Sequence, residues 1–186
     1  MFSLGRRFSS IGFIHMKTNR SIHTLLFALI IALSPDPAAY GEKSLSDDAK
    51  RDTVYRMYAG YKKDFPDVAD ISPQQAMAMQ GQGQVIFIDT RKPDEMAVST
   101  LPGAVTKEEF VFNRDRYAGK TAIAYCTISY RSGLFAQDMA TIGRNVANLQ
   151  GGILAWVLEG GTVYDPQGQP TRRIHVYGDK WDLAPE

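Results

Sequence analysis

The chain has 186 residues, of which 44% are hydrophobic and 22% charged, as in an ordinary globular domain. This length and apolar content allow one domain with a sizeable core and exclude a chain disordered throughout. The formal net charge is +1. Residues 1–41 carry four basic side chains and one acidic one, which leaves 17 basic against 19 acidic, or −2, in the remainder. Because no basic stripe remains there, we expect no nucleic-acid partner.

Residues 1–41 have the pattern of a secretory signal. Basic residues precede nine apolar residues at 25–33, and small residues follow up to Gly41. Nine apolar residues are too few to cross a bilayer, so we expect no membrane span after processing. A signal that begins at Met16 has the usual proportions, and Met16 is the expected start. The protein is therefore predicted to be periplasmic or secreted, against the alternative of an uncleaved, anchored or mitochondrial-type leader.

The residues after this signal predict helices and then a buried strand. Ser46, followed by two aspartates, predicts a helix over 46–64 that ends at Pro66 and packs its apolar face in the core. A second, short helix begins at Pro73 and is closed by a glycine turn. The apolar run 85–88 predicts a strand buried on both faces.

The alternation of helices and strands continues to the end of the chain. We predict a helical segment at 93–98, a turn feeding a short strand at 101–105, a short helix at 107–113 and a strand at 121–125. A helix at 132–142, a short strand at 146–149 and a last helix from 151 onward follow. An edge strand is predicted over 172–177. This alternation predicts a parallel sheet covered on both faces, in which ligands bind beyond the carboxyl ends of the strands. Asp89 and Cys126 both lie at such ends.

Cys126 is the only cysteine of the chain and follows the strand-forming run 121–125. A single cysteine cannot form an internal disulfide, so it is either a small buried hydrophobic residue or a reactive one. The turn after the strand opens a helix. Its backbone N–H groups and the positive end of its dipole, together with the Arg131 guanidinium, favour a thiolate at this position. We therefore expect Cys126 to react.

Four short motifs follow one another along the chain. They are Ile88-Asp89-Thr90-Arg91 followed by Pro-Asp-Glu, then Leu101-Pro-Gly-Ala, then Tyr125-Cys126 with Arg131-Ser132 after four further residues, and then Leu149-x-Gly-Gly152-Ile-x-Ala-Trp156. In this order and at these distances they resemble a single-domain rhodanese over about residues 68–163.

The resemblance implies an α/β, rhodanese-like fold. Its five-stranded parallel sheet is flanked by helices on both faces, with an extra N-terminal helix and a C-terminal extension. The expected segments are the signal at 1–41, the N-terminal helix at 42–66, the rhodanese-like domain at 67–163 and the C-terminal extension at 164–186. The resemblance also implies sulfur transfer from a donor such as thiosulfate to a thiophilic acceptor, cyanide or a thiol, through a persulfide on Cys126. This chemistry needs no metal and no organic cofactor.

The loop after Cys126 is the expected site. Cys126 is the predicted nucleophile, and Arg131 is predicted to stabilise the anionic persulfide together with the loop amides. The other residues of the predicted substrate-binding loop are Thr127, Ile128, Ser129, Tyr130 and Ser132. Cysteine phosphatases of the cell-cycle type place five residues between cysteine and arginine, whereas four intervene here. The smaller loop favours a single sulfur over a phosphate.

Several positions around the loop depart from the family pattern. Ser129 stands where rhodanese loops often have glycine, so the turn is either ordinary or mildly strained. Thr127 replaces a frequent cation, which favours a less anionic donor. Ile128 and Tyr130 add apolar surface at the mouth, which favours a bulkier or protein-borne donor.

Asp89 and Arg91 are supporting candidates. At the end of a buried strand, such a pair holds neighbouring loops together more often than it contacts substrate. The expected partners of the protein are a small-molecule or protein-borne sulfur donor and a thiol acceptor. Two other functions stay open, namely a non-catalytic or redox-sensing rhodanese-like binding module and, less favoured, a cysteine phosphatase.

Overall fold

The structure is a computed structural model that describes residues 44–178 and 181–185. The signal predicted over residues 1–41 lies outside the described residues. Within the described ranges, none of the helices combines the length and the apolar character that crossing a bilayer requires.

The described residues alternate between helices and strands. Helices α1 to α6 are Asp47–Tyr61, Pro73–Gly81, Pro93–Met96, Lys107–Phe112, Tyr130–Thr141 and Gly152–Leu158. Strands β1 to β7 are Asp70–Ile71, Val85–Asp89, Val105–Thr106, Thr121–Tyr125, Ala147–Leu149, Val163–Tyr164 and Pro170–Thr171. Short 3-10 helices lie at Lys62–Asp64 and Arg114–Tyr117.

Five of these strands form one parallel sheet in the order β1-β5-β4-β2-β3. Strand β4 is central, with β2 on one side and β5 on the other. The register places Asp89 of β2 opposite Tyr125 of β4, so both strands end at the same edge of the sheet. Cys126 follows at that edge. The predicted five-stranded parallel sheet is confirmed.

Helices cover both faces of the sheet because the side chains of a strand alternate between its faces. In β2, Phe87 packs on the side of α2 and α6, and its ring lies 5.2 Å from that of Trp156. Ile88 points to the opposite side, toward α4 and α5. Phe87 and Trp156 are both buried, which confirms the core roles expected for them.

The first two helices begin where their capping residues predict. The Ser46 hydroxyl accepts a hydrogen bond from the Ala49 amide at 3.3 Å, and the Ser72 hydroxyl accepts one from the Gln75 amide at 3.2 Å. The side-chain oxygen of Gln75 in turn accepts a hydrogen bond from the Ser72 amide, which completes a capping box. Local sequence is sufficient to place both starts.

Two strand predictions need correction. The two-residue strand β1 was not predicted, because its pairing with Asn148 and Leu149 of β5 involves too few residues to leave a local pattern. The edge strand predicted over 172–177 is wrong. In the described part of the tail, strand pairing is confined to Pro170–Thr171, which pairs with Val163–Tyr164. Thr171 Oγ1 then accepts a hydrogen bond from the Arg173 amide, which turns the backbone away from the ladder.

The N-terminal helix and the C-terminal tail pack together on helix α6. Val54 of α1, Leu154 of α6 and Leu183 of the tail belong to one buried apolar cluster. The Lys50 ammonium donates a hydrogen bond to the Ala184 carbonyl at 3.0 Å. Both flanking segments are thus fixed to the helix that follows the last strand of the parallel sheet.

Candidate active site

The central strand β4 delivers Cys126 to the carboxyl edge of the sheet. The next three residues, Thr127, Ile128 and Ser129, lead into helix α5, which begins at Tyr130. The side chain of Cys126 lines a cavity of about 230 Å³, although the residue is only 1% exposed. Cys126 is therefore almost fully shielded from solvent, and the cavity lies against it.

The N-terminus of helix α6 holds the backbone of this loop. The Ile153 amide donates to the Cys126 carbonyl at 2.9 Å, and the Leu154 amide donates to the Thr127 carbonyl at 3.3 Å. Gly152 adopts φ of 62°, and a Cβ there would overlap the Cys126 carbonyl oxygen and lie 2.7 Å from that of Thr127. Only glycine allows the helix and the loop to approach this closely.

Ser129 adopts a left-handed backbone conformation, with φ of 77° and ψ of −6°. Among the residues that the structure describes, it is the one non-glycine residue with positive φ. Of the two alternatives considered for this turn, the strained one is therefore observed. The strain is offset locally, because the Ser129 hydroxyl donates to the Leu149 carbonyl at 2.5 Å. The turn also lets α5 begin at Tyr130, two residues earlier than predicted.

Asn148 connects the two serines of the loop. Its side-chain amide donates to the Ser129 carbonyl at 3.3 Å, and its side-chain oxygen accepts from the Ser132 hydroxyl at 2.7 Å. All three residues are fully buried. Sequence reasoning did not select Asn148, although a polar residue inside the apolar strand 146–149 is a usable signal. Ser129 and Ser132 thus bond within the fold and do not line the cavity.

Glu95 is the partner of Arg131. Its two carboxylate oxygens accept hydrogen bonds from the two terminal nitrogens of the guanidinium, at 2.6 and 2.7 Å. The Thr127 hydroxyl donates to the same carboxylate at 3.0 Å and accepts from Arg131 at 3.1 Å. Glu95 belongs to the Pro-Asp-Glu motif, but no role was predicted for it. Its 1% exposure identifies it as the residue that orients Arg131.

Opposing effects set the ionisation of this pair. Burial alone raises the pKa of Glu95, but the hydrogen bonds from Arg131 and from the Lys92 amide, with the positive charge of Arg131, lower it from 4.5 to about 2. The hydrogen bonds to Glu95 raise the pKa of Arg131 against the effect of burial, and the Cys126 sulfur raises it further. Both groups are therefore ionised at neutral pH, and the guanidinium also faces the sulfur.

Asp89 and Arg91 form a second ion pair, which lies away from the cavity. Arg91 donates to the carboxylate of Asp89 at 2.7 and 2.9 Å and to the Ser99 carbonyl at 2.6 Å. The Tyr125 hydroxyl donates to Asp89 at 2.5 Å and accepts from the Leu101 amide at 3.2 Å. This buried network ties the ends of β2 and β4 to the segment that leads to β3.

The cavity brings predicted and unpredicted residues together. The predicted residues that line it are Cys126, Thr127, Ile128, Tyr130 and Arg131. The described residues that also line it, and that sequence reasoning missed, are Tyr61, Tyr177 and Trp181. Core packing was predicted for the apolar face that includes Tyr61 and is confirmed, since Tyr61 packs partly buried against two apolar clusters. Tyr61 also lines the cavity.

Comparison with known proteins identifies the part of the chain that carries this site. Residues 72–159 match the family model of the rhodanese-like domain. This segment is a rhodanese-like domain. It contains Cys126, Arg131 and Glu95, whereas the α1 helix and the C-terminal tail lie outside it.

Known relatives resemble only part of this chain. An uncharacterized protein of Synechocystis sp. is 31% identical over 90 residues, which cover 46% of this chain and 50% of that protein. A tRNA uridine(34) hydroxylase of Thiobacillus denitrificans is 37% identical over 91 residues, which cover 43% of this chain and 37% of the relative. Among solved structures, a thiosulfate sulfurtransferase from Pseudomonas aeruginosa is 20% identical with a TM-score of 0.49, covering 75% of this chain and 26% of that one. The chain thus spans about half or less of the length of these curated relatives.

Proposed function

We propose that this protein is a sulfurtransferase that moves a sulfane sulfur from a donor such as thiosulfate to a thiophilic acceptor, cyanide or a thiol. The observation that carries this proposal is the placement of Cys126. Cys126 lines a cavity, and its sulfur lies beside a guanidinium that Glu95 holds in a fixed orientation. A group held in this way stabilises negative charge without reorganising during the reaction.

The proposed reaction has two displacements. The Cys126 thiolate attacks the sulfane sulfur of thiosulfate and forms an S–S bond, while the original S–S bond breaks and its electron pair leaves with sulfite. The terminal sulfur of the persulfide is then attacked by the acceptor, and the Cys126 thiolate is released. In this proposal, Arg131 and the amides of the first turn of α5, which have no acceptor within the helix, stabilise the persulfide anion.

Intact-mass analysis after incubation with thiosulfate tests this proposal. We expect the protein to gain one sulfur atom and to lose it when cyanide is added. The Cys126→Ser variant should gain none, because a hydroxyl at this position is not ionised and cannot carry a persulfide. A wild-type protein that gains no sulfur from any sulfane donor would refute the proposal.

A binding or redox-sensing module is the second candidate. It is supported by the burial of Cys126, which is only 1% exposed and is thus shielded from large reactants. In this case a mild oxidant modifies Cys126, while sulfane donors leave the mass unchanged. The same mass measurement, made with hydrogen peroxide and with thiosulfate in parallel, separates the two candidates.

We further propose that the protein acts outside the cytoplasm with small-molecule or protein-borne donors and a thiol acceptor. The pattern of residues 1–41 supports export. N-terminal sequencing of the protein recovered from the cell envelope or medium tests this. A recovered chain that still begins before residue 41 would contradict cleavage.

A further inference from the structure

Three aromatic residues from outside the rhodanese-like domain form one side of the Cys126 cavity. Tyr61 comes from helix α1, and Tyr177 and Trp181 come from the C-terminal tail. We call these three residues the aromatic wall. Tyr61 lies 5.2 Å from the ring of Tyr130 in the catalytic loop. The two flanking segments therefore contribute directly to the surface that a substrate meets.

Specific contacts hold the aromatic wall in place. Leu183 is only 6% exposed, and its apolar cluster anchors the end of the tail beside Trp181. The rings of Tyr177 and Trp181 pack edge to face at 5.5 Å. Tyr177 also lies near two cations, with Arg131 at 5.4 Å and Lys92 at 5.5 Å from its ring centre. The tail thus contacts the residue that faces the reactive sulfur.

The charges around the cavity disfavour a small dianion. Among the described residues that line it, Arg131 is the only charged one. Its guanidinium is already paired with both oxygens of the ionised, buried Glu95. Glu95 offsets much of the positive charge of Arg131, so a dianion gains less there than a monoanion in exchange for the hydration that it loses. Aromatic rings instead favour an apolar or aromatic group.

From this arrangement we infer that the site takes a carbon-bound sulfane-sulfur donor, whose apolar group packs against the aromatic wall, in preference to inorganic thiosulfate. The inference rests on the proposed sulfur transfer. The cavity of about 230 Å³ is smaller than the ~300–1,000 Å³ of typical ligand pockets, which suits a compact donor. The segments outside the rhodanese-like domain thus determine donor specificity.

The inferred reaction is balanced for an organic thiosulfonate. The Cys126 thiolate attacks the sulfane sulfur of the R–SO₂–S⁻ donor, and a new S–S bond forms. The bond between the sulfonyl sulfur and the sulfane sulfur breaks, and its electron pair leaves with the sulfinate R–SO₂⁻. No oxidant or reductant is consumed. Thiosulfate reacts in the same way and releases sulfite, so both donors report on the same sulfur atom.

Three donors separate the effects of charge and of the apolar group. Benzenethiosulfonate and methanethiosulfonate both carry one negative charge, but only the first has a ring; thiosulfate carries two charges and no carbon. The measurement is kcat/KM for persulfide formation by each donor. We expect the wild type to react fastest with benzenethiosulfonate. In Trp181→Ala, the ratio of kcat/KM for benzenethiosulfonate to that for methanethiosulfonate should fall about tenfold, because an aromatic contact worth about 1.4 kcal/mol is lost.

Two further variants complete the test. Tyr177 is half-exposed, so Tyr177→Ala should fold, and its ratio should fall in the same direction. Phe112 is a strongly exposed aromatic residue outside the cavity, and Phe112→Ala should keep the wild-type ratio. If the ratio is unchanged in both Trp181→Ala and Tyr177→Ala, or if the wild type prefers thiosulfate, the inference about the donor is overturned, while the proposed sulfur transfer is not. Failure of all three donors to load sulfur on Cys126 would instead refute sulfur transfer itself.

Discussion

The ion pair between Glu95 and Arg131 gives a quantitative prediction about acid stability. Glu95→Gln keeps the shape of the side chain but replaces one carboxylate oxygen by an NH₂ group that faces the guanidinium donors. At pH 7 we expect a loss of about 3 kcal/mol, at the lower end of the range for broken buried pairs, because the Arg131 side chain is 31% exposed and can be partly solvated.

The pH dependence follows from the pKa of Glu95, which is about 2 in the folded protein against an ordinary value of 4.5. Because the folded-state pKa is lowered, the ionised carboxylate stabilises the fold above pH 4.5, and this stabilisation is lost as the pH falls toward 2. The full difference corresponds to about 3 kcal/mol, of which about 2 kcal/mol is lost by pH 3. Glu95→Gln has no such group to protonate.

Urea unfolding at pH 7 and at pH 3 measures this effect. The difference in unfolding free energy between wild type and Glu95→Gln should shrink by about 2 kcal/mol from pH 7 to pH 3. Glu108→Gln removes an exposed carboxylate and serves as the matched control, with little change at either pH. A difference that stays constant between the two pH values would show that the Glu95 carboxylate does not stabilise the fold through its charge.

Three further substitutions test the loop. Gly152→Ala should lower the unfolding free energy by about 3 kcal/mol, because a side chain there combines positive φ with overlap against the loop carbonyls. Gly168→Ala shares the positive φ but has open space, and should lower it by about 1 kcal/mol. Equal losses in urea unfolding would contradict the overlap. Ser129→Gly should be about 1 kcal/mol more stable than Ser129→Ala in thermal unfolding. Both variants lose the hydrogen bond of the hydroxyl, but only glycine relieves the backbone strain of the positive φ. The reverse order would argue against strain. Arg131→Ala should slow persulfide formation and also lower the unfolding free energy by about 3 kcal/mol, because it leaves Glu95 buried without its cation. Adding Glu95→Gln to this variant should recover part of the lost stability. Additive losses of the two substitutions would exclude the pairing.

The sheet and its helices were predictable because their signals are local. Apolar runs at 85–88 and 121–125, and capping residues at Ser46 and Ser72, depend on neighbours within a few positions. The prediction of an edge strand over 172–177 failed, because β-branched and aromatic residues alone do not provide a partner strand. Pairing there ends where a side chain, Thr171, takes over a backbone amide.

The residues that complete the site were harder to predict, because each acts across a long separation in sequence. Glu95 meets Arg131 from 36 positions away, and Asn148 meets Ser129 from 19. Tyr61 and Trp181 lie on opposite sides of the domain in sequence and share one cavity. An acidic residue after a buried strand, or an aromatic residue on an amphipathic helix, has many possible partners, and sequence alone does not choose among them.

The sequence by itself determined a parallel α/β sheet, the place of Cys126 at a strand end, and a loop of four residues before Arg131, since these depend on local patterns and on order along the chain. Only the tertiary structure decided which group balances the charge of Arg131 and which rings line the cavity beside Cys126. Those properties arise where helix α1, the loop after Cys126 and the tail meet. The free energy of such contacts depends on burial and distance, which are defined only after the chain has folded.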